Sequence, residues 1–369
     1  MNGACLLAAL LLSRPLVAAA ADESEDIRIL VAEGVGGLSI RGAGLRVSDS
    51  GESFEVRGRS LRVDCRDGAA VVPGLAPGEG PVAVEAVGSL FAAGRELRGS
   101  IEVRCTGDRW MAINVLPLEA YLDAVLGAEM PPSFPPEALK AQAVAARSYA
   151  LHRKIDAWAK GLPYHLGATV LSQVYGGVAA EDPRAKRAVD ATRGEVLAYG
   201  MLPVEAYFHS ACGGRTETGA AALGRDLPYL ASVPCPCAAH APHARWSVRV
   251  TEGELLRLAG ALWGRSRVRD LAVSARTSTG RALTLRVTTR AGVRTVPAAE
   301  LRSALGWLRL PSLWFDVRRR GDTFVFAGRG SGHGAGLCQW GARVLAEQGR
   351  GYREILAHYY PGTEVRRAY

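Results

Sequence analysis

The segment that most constrains this chain runs from Glu137 to about Ala157, an alanine-rich stretch containing neither glycine nor proline. Alanine has the highest helix propensity and no side-chain freedom to lose, so the composition predicts one long helix. Leu139, Ala143, Ala146 and Ala150 recur at helical spacing and form a packing stripe. Lys140 and Arg147 lie two turns apart on another face, which reads as a cationic side. Just upstream, Pro131-Pro132-Ser133-Phe134-Pro135-Pro136 stops any earlier helix. Ser133 is placed to cap the new one, and prolines suit its first turn. Before that stop, Leu118 to Ala128 is also helical in pattern, with Tyr121, Leu122 and Val125 on one stripe.

The flanks have a different character. Ile27 to Val115 alternates short apolar runs with glycine turns and predicts a small β region. A helix is expected over Pro183–Thr192, strands and short helices over Ser247 to about Arg320, and a helix from about Gln339 after the glycine-rich loop Gly328–Gly336. The stretch from Tyr207 to Trp246, rich in Gly, Pro, Cys and His, is expected to be irregular and held by something other than a core. The fold class is therefore α+β, a mixed helical catalytic region with β-rich N-terminal and inserted parts. The expected divisions are a signal peptide over 1–21, a β-rich region over 22–115, and a catalytic region over 116–369 with 207–325 as an inserted subdomain.

A net charge of +9 suits an anionic partner. The basic residues are dispersed arginines without a Lys/Arg block or a base-stacking motif, so nucleic acid is not expected. Ala4–Leu12 is an apolar core followed by Ala18-Ala19-Ala20-Ala21, which reads as an export signal, with an uncleaved anchor as the alternative. Export places the mature chain where disulfides form, in a periplasm, a cell wall or outside the cell. Cys65 and Cys105, both in the β region, are expected partners, while Cys5 falls within the leader.

Several residues are candidates for chemistry. Glu129, in Gly127-Ala128-Glu129-Met130-Pro131-Pro132, ends a helix beside Met and Pro; desolvation there would raise its pKa, although position alone also suits a solvated loop glutamate. Lys140 and Arg147 would hold glycan groups or tune Glu129, or simply belong to an amphipathic helix. Gln173 and Tyr175 in Ser172-Gln173-Val174-Tyr175-Gly176-Gly177, and Tyr207 and Ser210 in the next polar loop, suit sugar binding by stacking and hydroxyl contacts. His333, in Gly332-His333-Gly334, reads as a proton carrier, a hydrogen-bonding anchor or part of a tight turn. His209, Cys212, Cys235, Cys237, His240 and His243 supply more ligands than a tetrahedral zinc needs. A disulfide from Cys212 to Cys235 or Cys237 is the alternative, and a structural metal fits a thiolate-rich set better than a catalytic one.

Taken in order, Tyr121-Leu122, Glu129-Met130-Pro131, Glu137 through Ala150, Ser172 through Gly177, the Tyr207 segment, Gly332-His333-Gly334 through Trp340-Gly341-Ala342, and Tyr359-Tyr360-Pro361-Gly362 resemble the SpoIID/LytB family. The resemblance covers most of the chain from about Val115 onward. It implies a peptidoglycan lytic transglycosylase acting on glycan strands, preferably stripped of stem peptides, with no cofactor required for catalysis. It assigns the acid/base to Glu129, supporting cations to Lys140 and Arg147, and loop contacts to Tyr207 and Ser210. A non-catalytic wall-binding enhancer of a cell-wall amidase is the rival reading. Cys338 stands where the family more usually has a small polar residue, and the Cys235/Cys237/His240/His243 group is not a general family feature.

Overall fold

The structure is a computed structural model that describes residues 26–369 apart from 50–52, 76, 77, 79, 170, 171 and 240. The expected signal segment with Cys5, and His240, lie outside the described residues. The chain begins with a strand, Asp26–Val35, whose Ile27, Ile29 and Val31 alternate inward. It pairs antiparallel with Arg109–Pro117, from Asp26 opposite Pro117 to Val35 opposite Arg109, with a register shift between Leu30 and Ala32. Around this pair grows a seven-stranded sheet, and a five-stranded sheet includes Leu38–Gly42 and Ser60–Arg66. Cys65 on Ser60–Arg66 and Cys105 on Ser100–Thr106 are disulfide-bonded, with Cα atoms 5.6 Å apart, so the bridge ties one sheet to the other.

The Arg109–Pro117 strand runs directly into α1 (Leu118–Glu129), and the proline turn leads to α2 (Pro136–Ala159). Pro136 opens α2, where its missing N–H and preset φ cost nothing. Ser133 does not cap it: the residue at the cap is Pro135, and no side chain bonds the first turn. The remaining helices are α3 (Pro183–Ala191), α4 (Gly219–Leu223), α5 (Glu252–Ala259), α6 (Ala298–Leu305), α7 (Gln339–Glu347) and α8 (Tyr352–Tyr359). Every residue from Ala141 to Ala150 is buried. α1, α3, α7 and α8 all pack against α2, and its alanines let them come close. The two-sided, half-cationic helix expected from the sequence is instead a central helix enclosed over its middle turns.

Two hydrophobic cores result. The larger joins the β region to α1, α2, α7 and α8, so the N-terminal strands and the helices share one interior. The smaller is formed by residues between Val250 and Phe326. Its boundary strand Trp246–Thr251 pairs with Thr323–Gly328, bringing the two ends of this inserted body together. The stretch after Tyr207 does not belong to that body: Cys212, Tyr229, Leu230, Cys235 and Cys237 are buried in the larger core. Among the described residues no helix is long and apolar enough to cross a membrane.

Candidate active site

Glu129 is the last residue of α1, and Met130 after it is extended and buried. One carboxylate oxygen, Oε1, accepts the Val174 N–H at 2.7 Å. The Gln339 side chain, at the start of α7, is the other polar group that favours the carboxylate. Burial pushes the Glu129 carboxyl above the ordinary range, and Val174 and Gln339 only partly offset it. Close packing holds the arrangement: a Cβ on Gly127 would lie 2.0 Å from the Ala180 carbonyl oxygen, so only glycine lets the Gly177–Ala180 turn press on α1. On the other side, the Phe134 ring meets Trp340 edge-on at 5.0 Å.

Gln173 and Tyr175 are placed beside Val174 but face inward. Gln173 is fully buried; its Oε1 accepts from the Tyr121 hydroxyl at 2.9 Å, and its Nε2 donates to the Ala146 carbonyl. The Tyr175 hydroxyl donates to Asn114 Oδ1 at 2.7 Å, and its ring packs against Tyr121. These two residues, expected to bind sugar, engage their polar atoms in the core on either side of the Val174 N–H that meets Glu129.

The two cations part company. Arg147 is wholly buried, and its Nε and Nη2 donate to the two Glu119 oxygens at 2.8 Å each. It also donates to the Glu195 carbonyl at 3.0 Å. It neither faces Glu129 nor reaches solvent, so the expected cationic face ends at Lys140. Lys140 pairs with Glu137 at 2.7 Å and stands over the Tyr352 ring. It lines a groove of about 540 Å³ beside the proline turn, together with Phe134, Arg184, Arg187 and Glu347. Glu129 is not part of that groove's wall.

Tyr207 is partly exposed; its hydroxyl donates to Glu205 Oε1 at 2.7 Å, and its ring meets Tyr149 and His333 edge-on. The Ser210 carbonyl accepts the Trp340 N–H at 3.1 Å, which ties that loop to the residue after Gln339. His333 has no nitrogen to spare. Its Nδ1 accepts from the Ala335 N–H, its Nε2 therefore carries the proton donated to the Phe208 carbonyl, and burial lowers its pKa to about 4. It is a neutral anchor of the glycine-rich loop, not a proton carrier near neutral pH.

Of the expected ligands, Cys212, Cys235 and Cys237 come together, and the fourth member of the group is Cys338. Their sulfurs all lie within 4.8 Å of one another, and all four residues are buried. The two histidines are elsewhere. His209 donates through Nδ1 to the Ala335 carbonyl and packs on His333, and His243 is exposed. Two residues of this region were missed in the sequence. Gln339 carried no signal beyond its neighbours, whereas Cys338 was available by elimination: once Cys65 pairs with Cys105, four thiols remain.

Residues 106–199 match the model of a family described as stage II sporulation protein, SpoIID, and residues 239–336 match a domain of unknown function, DUF8618. The chain is 33% identical to an uncharacterised protein of Brachyspira hyodysenteriae over 74% of its own length and 73% of that protein's. It is also 33% identical to the stage II sporulation protein D of Bacillus subtilis, over 70% of its length and 76% of the relative's. An amidase enhancer of the same bacterium is 29% identical over 66% of this chain and 40% of the enhancer.

Proposed function

Because the chain belongs to the SpoIID/LytB family, we propose that it is an exported peptidoglycan lytic transglycosylase with Glu129 as its acid/base. The observation that carries this reading is the Glu129 carboxyl at the end of α1, desolvated by burial and held by the Val174 N–H at 2.7 Å. A hydrolysing glycosidase needs two carboxyl groups, one to protonate the leaving oxygen and one to activate water or form a covalent bond. A lytic enzyme needs one. Protonated Glu129 gives its proton to the glycosidic oxygen as the bond to the muramic acid anomeric carbon breaks. The 6-hydroxyl of the same muramic acid attacks that carbon, and its proton returns to the Glu129 carboxylate. The products are a free 4-hydroxyl on one fragment and a 1,6-anhydro end on the other, with no water consumed. The Val174 N–H and Gln339 stabilise the carboxylate after the proton leaves. Lys140, Arg184 and Arg187 on the neighbouring groove suit the lactyl carboxylates that muramic acid bears once its peptide is gone.

The test is digestion of denuded glycan strands by purified protein, with products read by mass spectrometry. Anhydro-ended fragments are expected from wild type, and a drop of about 10²–10⁴-fold from Glu129→Gln, which keeps the hydrogen bond from Val174. Unchanged release by the variant would remove Glu129 from the chemistry, and hydrated reducing ends would remove the transglycosylase reaction. The amidase-enhancer relative supports a second reading, a strand-binding protein that stimulates a separate amidase. Under that reading no strand is cut, and a cell-wall amidase releases peptides faster in its presence.

A further inference from the structure

We propose that Cys212, Cys235, Cys237 and Cys338 form a closed four-thiolate site for a zinc-type divalent cation, and that this site sets the position of Gln339 against Glu129. The metal half of the proposal stands apart from the catalytic reading; only the positioning half rests on it. Four sulfurs within 4.8 Å of one another, all buried, are close to what tetrahedral coordination needs. With zinc–sulfur bonds of about 2.3 Å, the sulfurs of such a site stand about 3.8 Å apart. Cys212 Sγ and Cys237 Sγ are 3.4 Å apart, a hydrogen-bonding separation, whereas Cys65 and Cys105 are joined.

The surroundings suit thiolates. The Cys212 N–H points to Cys338 Sγ at 3.3 Å, and the Tyr359 hydroxyl lies 3.1 Å from Cys235 Sγ. Arg281 is buried close by, pairs with the buried Glu217 at 3.7 Å and donates to the Cys212 carbonyl at 2.9 Å, so it fixes the backbone that carries one of the four ligands. Room for the sulfur has been made in the fold. A Cβ on Gly341 would lie 2.4 Å from Cys235 Sγ and 2.0 Å from the Tyr359 oxygen, so this helix position must be glycine for the cluster to exist. Loading replaces four S–H bonds by four metal–sulfur bonds and releases four protons; no oxidant is involved.

The ligands come from three places: the loop after the Phe208–His209 strand, Cys235 and Cys237 at the start of the Pro236–Ala239 turn, and the residue that precedes α7. Phe208–His209 and Leu337–Cys338 pair in parallel, so one metal staples both strands where they leave their ladder. Gln339 follows Cys338 directly. Its Nε2 lies 3.5 Å from Gln142 Oε1, and its amide favours the Glu129 carboxylate, so the site acts on the carboxyl through one peptide link. Gln339 is thus a positioning residue, and the metal is structural.

Metal analysis of the purified full-length protein, with alkylation of its thiols after unfolding in chelator, decides the matter. About one zinc per chain is expected, with Cys212, Cys235, Cys237 and Cys338 all alkylated and only Cys65–Cys105 resistant. Exchange of zinc for cobalt(II) should give the intense visible bands of a tetrahedral site with thiolate-to-cobalt charge transfer, a readout that needs no variant. His209→Ala and His243→Ala should keep the metal, and Cys338→Ser should lose it. Two extra disulfides with no metal would overturn the proposal, as would metal lost from His243→Ala but retained by Cys338→Ser. Stripping the metal from folded protein should shift the pH profile of strand cleavage; an unchanged profile would remove the positioning role and leave the metal site standing.

Discussion

Replacing Arg147 by methionine should cost stability and leave the chemistry alone. In the folded protein its guanidinium makes two 2.8 Å bonds to Glu119 and one of 3.0 Å to the Glu195 carbonyl, with longer ones to the Val189 carbonyl and Thr192 Oγ1. Methionine fills the space but strands the Glu119 carboxylate with only the Gly194 N–H and the Tyr369 hydroxyl. Removing one member of a buried pair costs about 3–5 kcal/mol. At a urea m value of about 2–3 kcal/mol/M, the unfolding midpoint falls by about 1–2.5 M. Replacing both partners, as Glu119→Leu with Arg147→Met, removes the stranded charge and is neutral to favourable by about 1–4 kcal/mol, against about 1 kcal/mol for each carbonyl left unpaired. The double variant should therefore return close to wild type. The sign with pH follows from Glu119. Burial pushes its carboxyl up, but the hydrogen bonds and charge of Arg147 outweigh this and leave it below the ordinary 4.5. The stability it contributes is complete above pH 4.5 and is lost as pH falls through the lowered value, so wild type should lose more on acidification than the double variant. Urea denaturation by fluorescence measures all three proteins. A single variant as stable as wild type would refute the buried-pair reasoning. A folded single variant with no strand cleavage would return Arg147 to the active site.

Gln339→Leu removes a polar neighbour that favours the Glu129 carboxylate, so the Glu129 pKa rises further and the alkaline limb of kcat/KM moves to higher pH; a limb that stays put would separate Gln339 from Glu129. Gly341→Ala drives a methyl into Tyr359 and Cys235 and should cost about 1–3 kcal/mol, measured as a lower melting temperature. Loss of the Cys65–Cys105 bridge, which closes a separation of 40 residues, should destabilise the paired sheets by about 3–5 kcal/mol, read by comparing the Cys65→Ser, Cys105→Ser double variant with wild type in urea.

The long helix was legible because alanine content alone dictates it. Arg147 was misread for a physical reason: on a helix buried on every side, spacing no longer reports which face meets water. Its partner Glu119 sits on another helix, 28 residues earlier, where no local pattern points to it. Gln173 and Tyr175 look like surface sugar contacts because their loop is polar and glycine-rich, yet Tyr121, Asn114 and Ala146 draw them inward. The histidines near Cys235 were attractive as ligands because they are close in sequence. The thiol that joins the cluster is Cys338, 126 residues beyond Cys212.

The inserted body has a consequence for the order in which the molecule assembles. Gln142 and Gln339 meet across 197 residues of chain, a long loop to close before any contact rewards it. By pairing Trp246 with Gly328, the insert turns residues 246–328, under half of the intervening chain, into a compact bead whose two ends emerge side by side. If the bead condenses first, the loop left to close is less than twofold shorter, worth under about 0.6 kcal/mol of closure entropy, and Cys338 is brought to the other three sulfurs with Gln339 in tow. The insert then eases the closure that sets Gln339 beside Glu129.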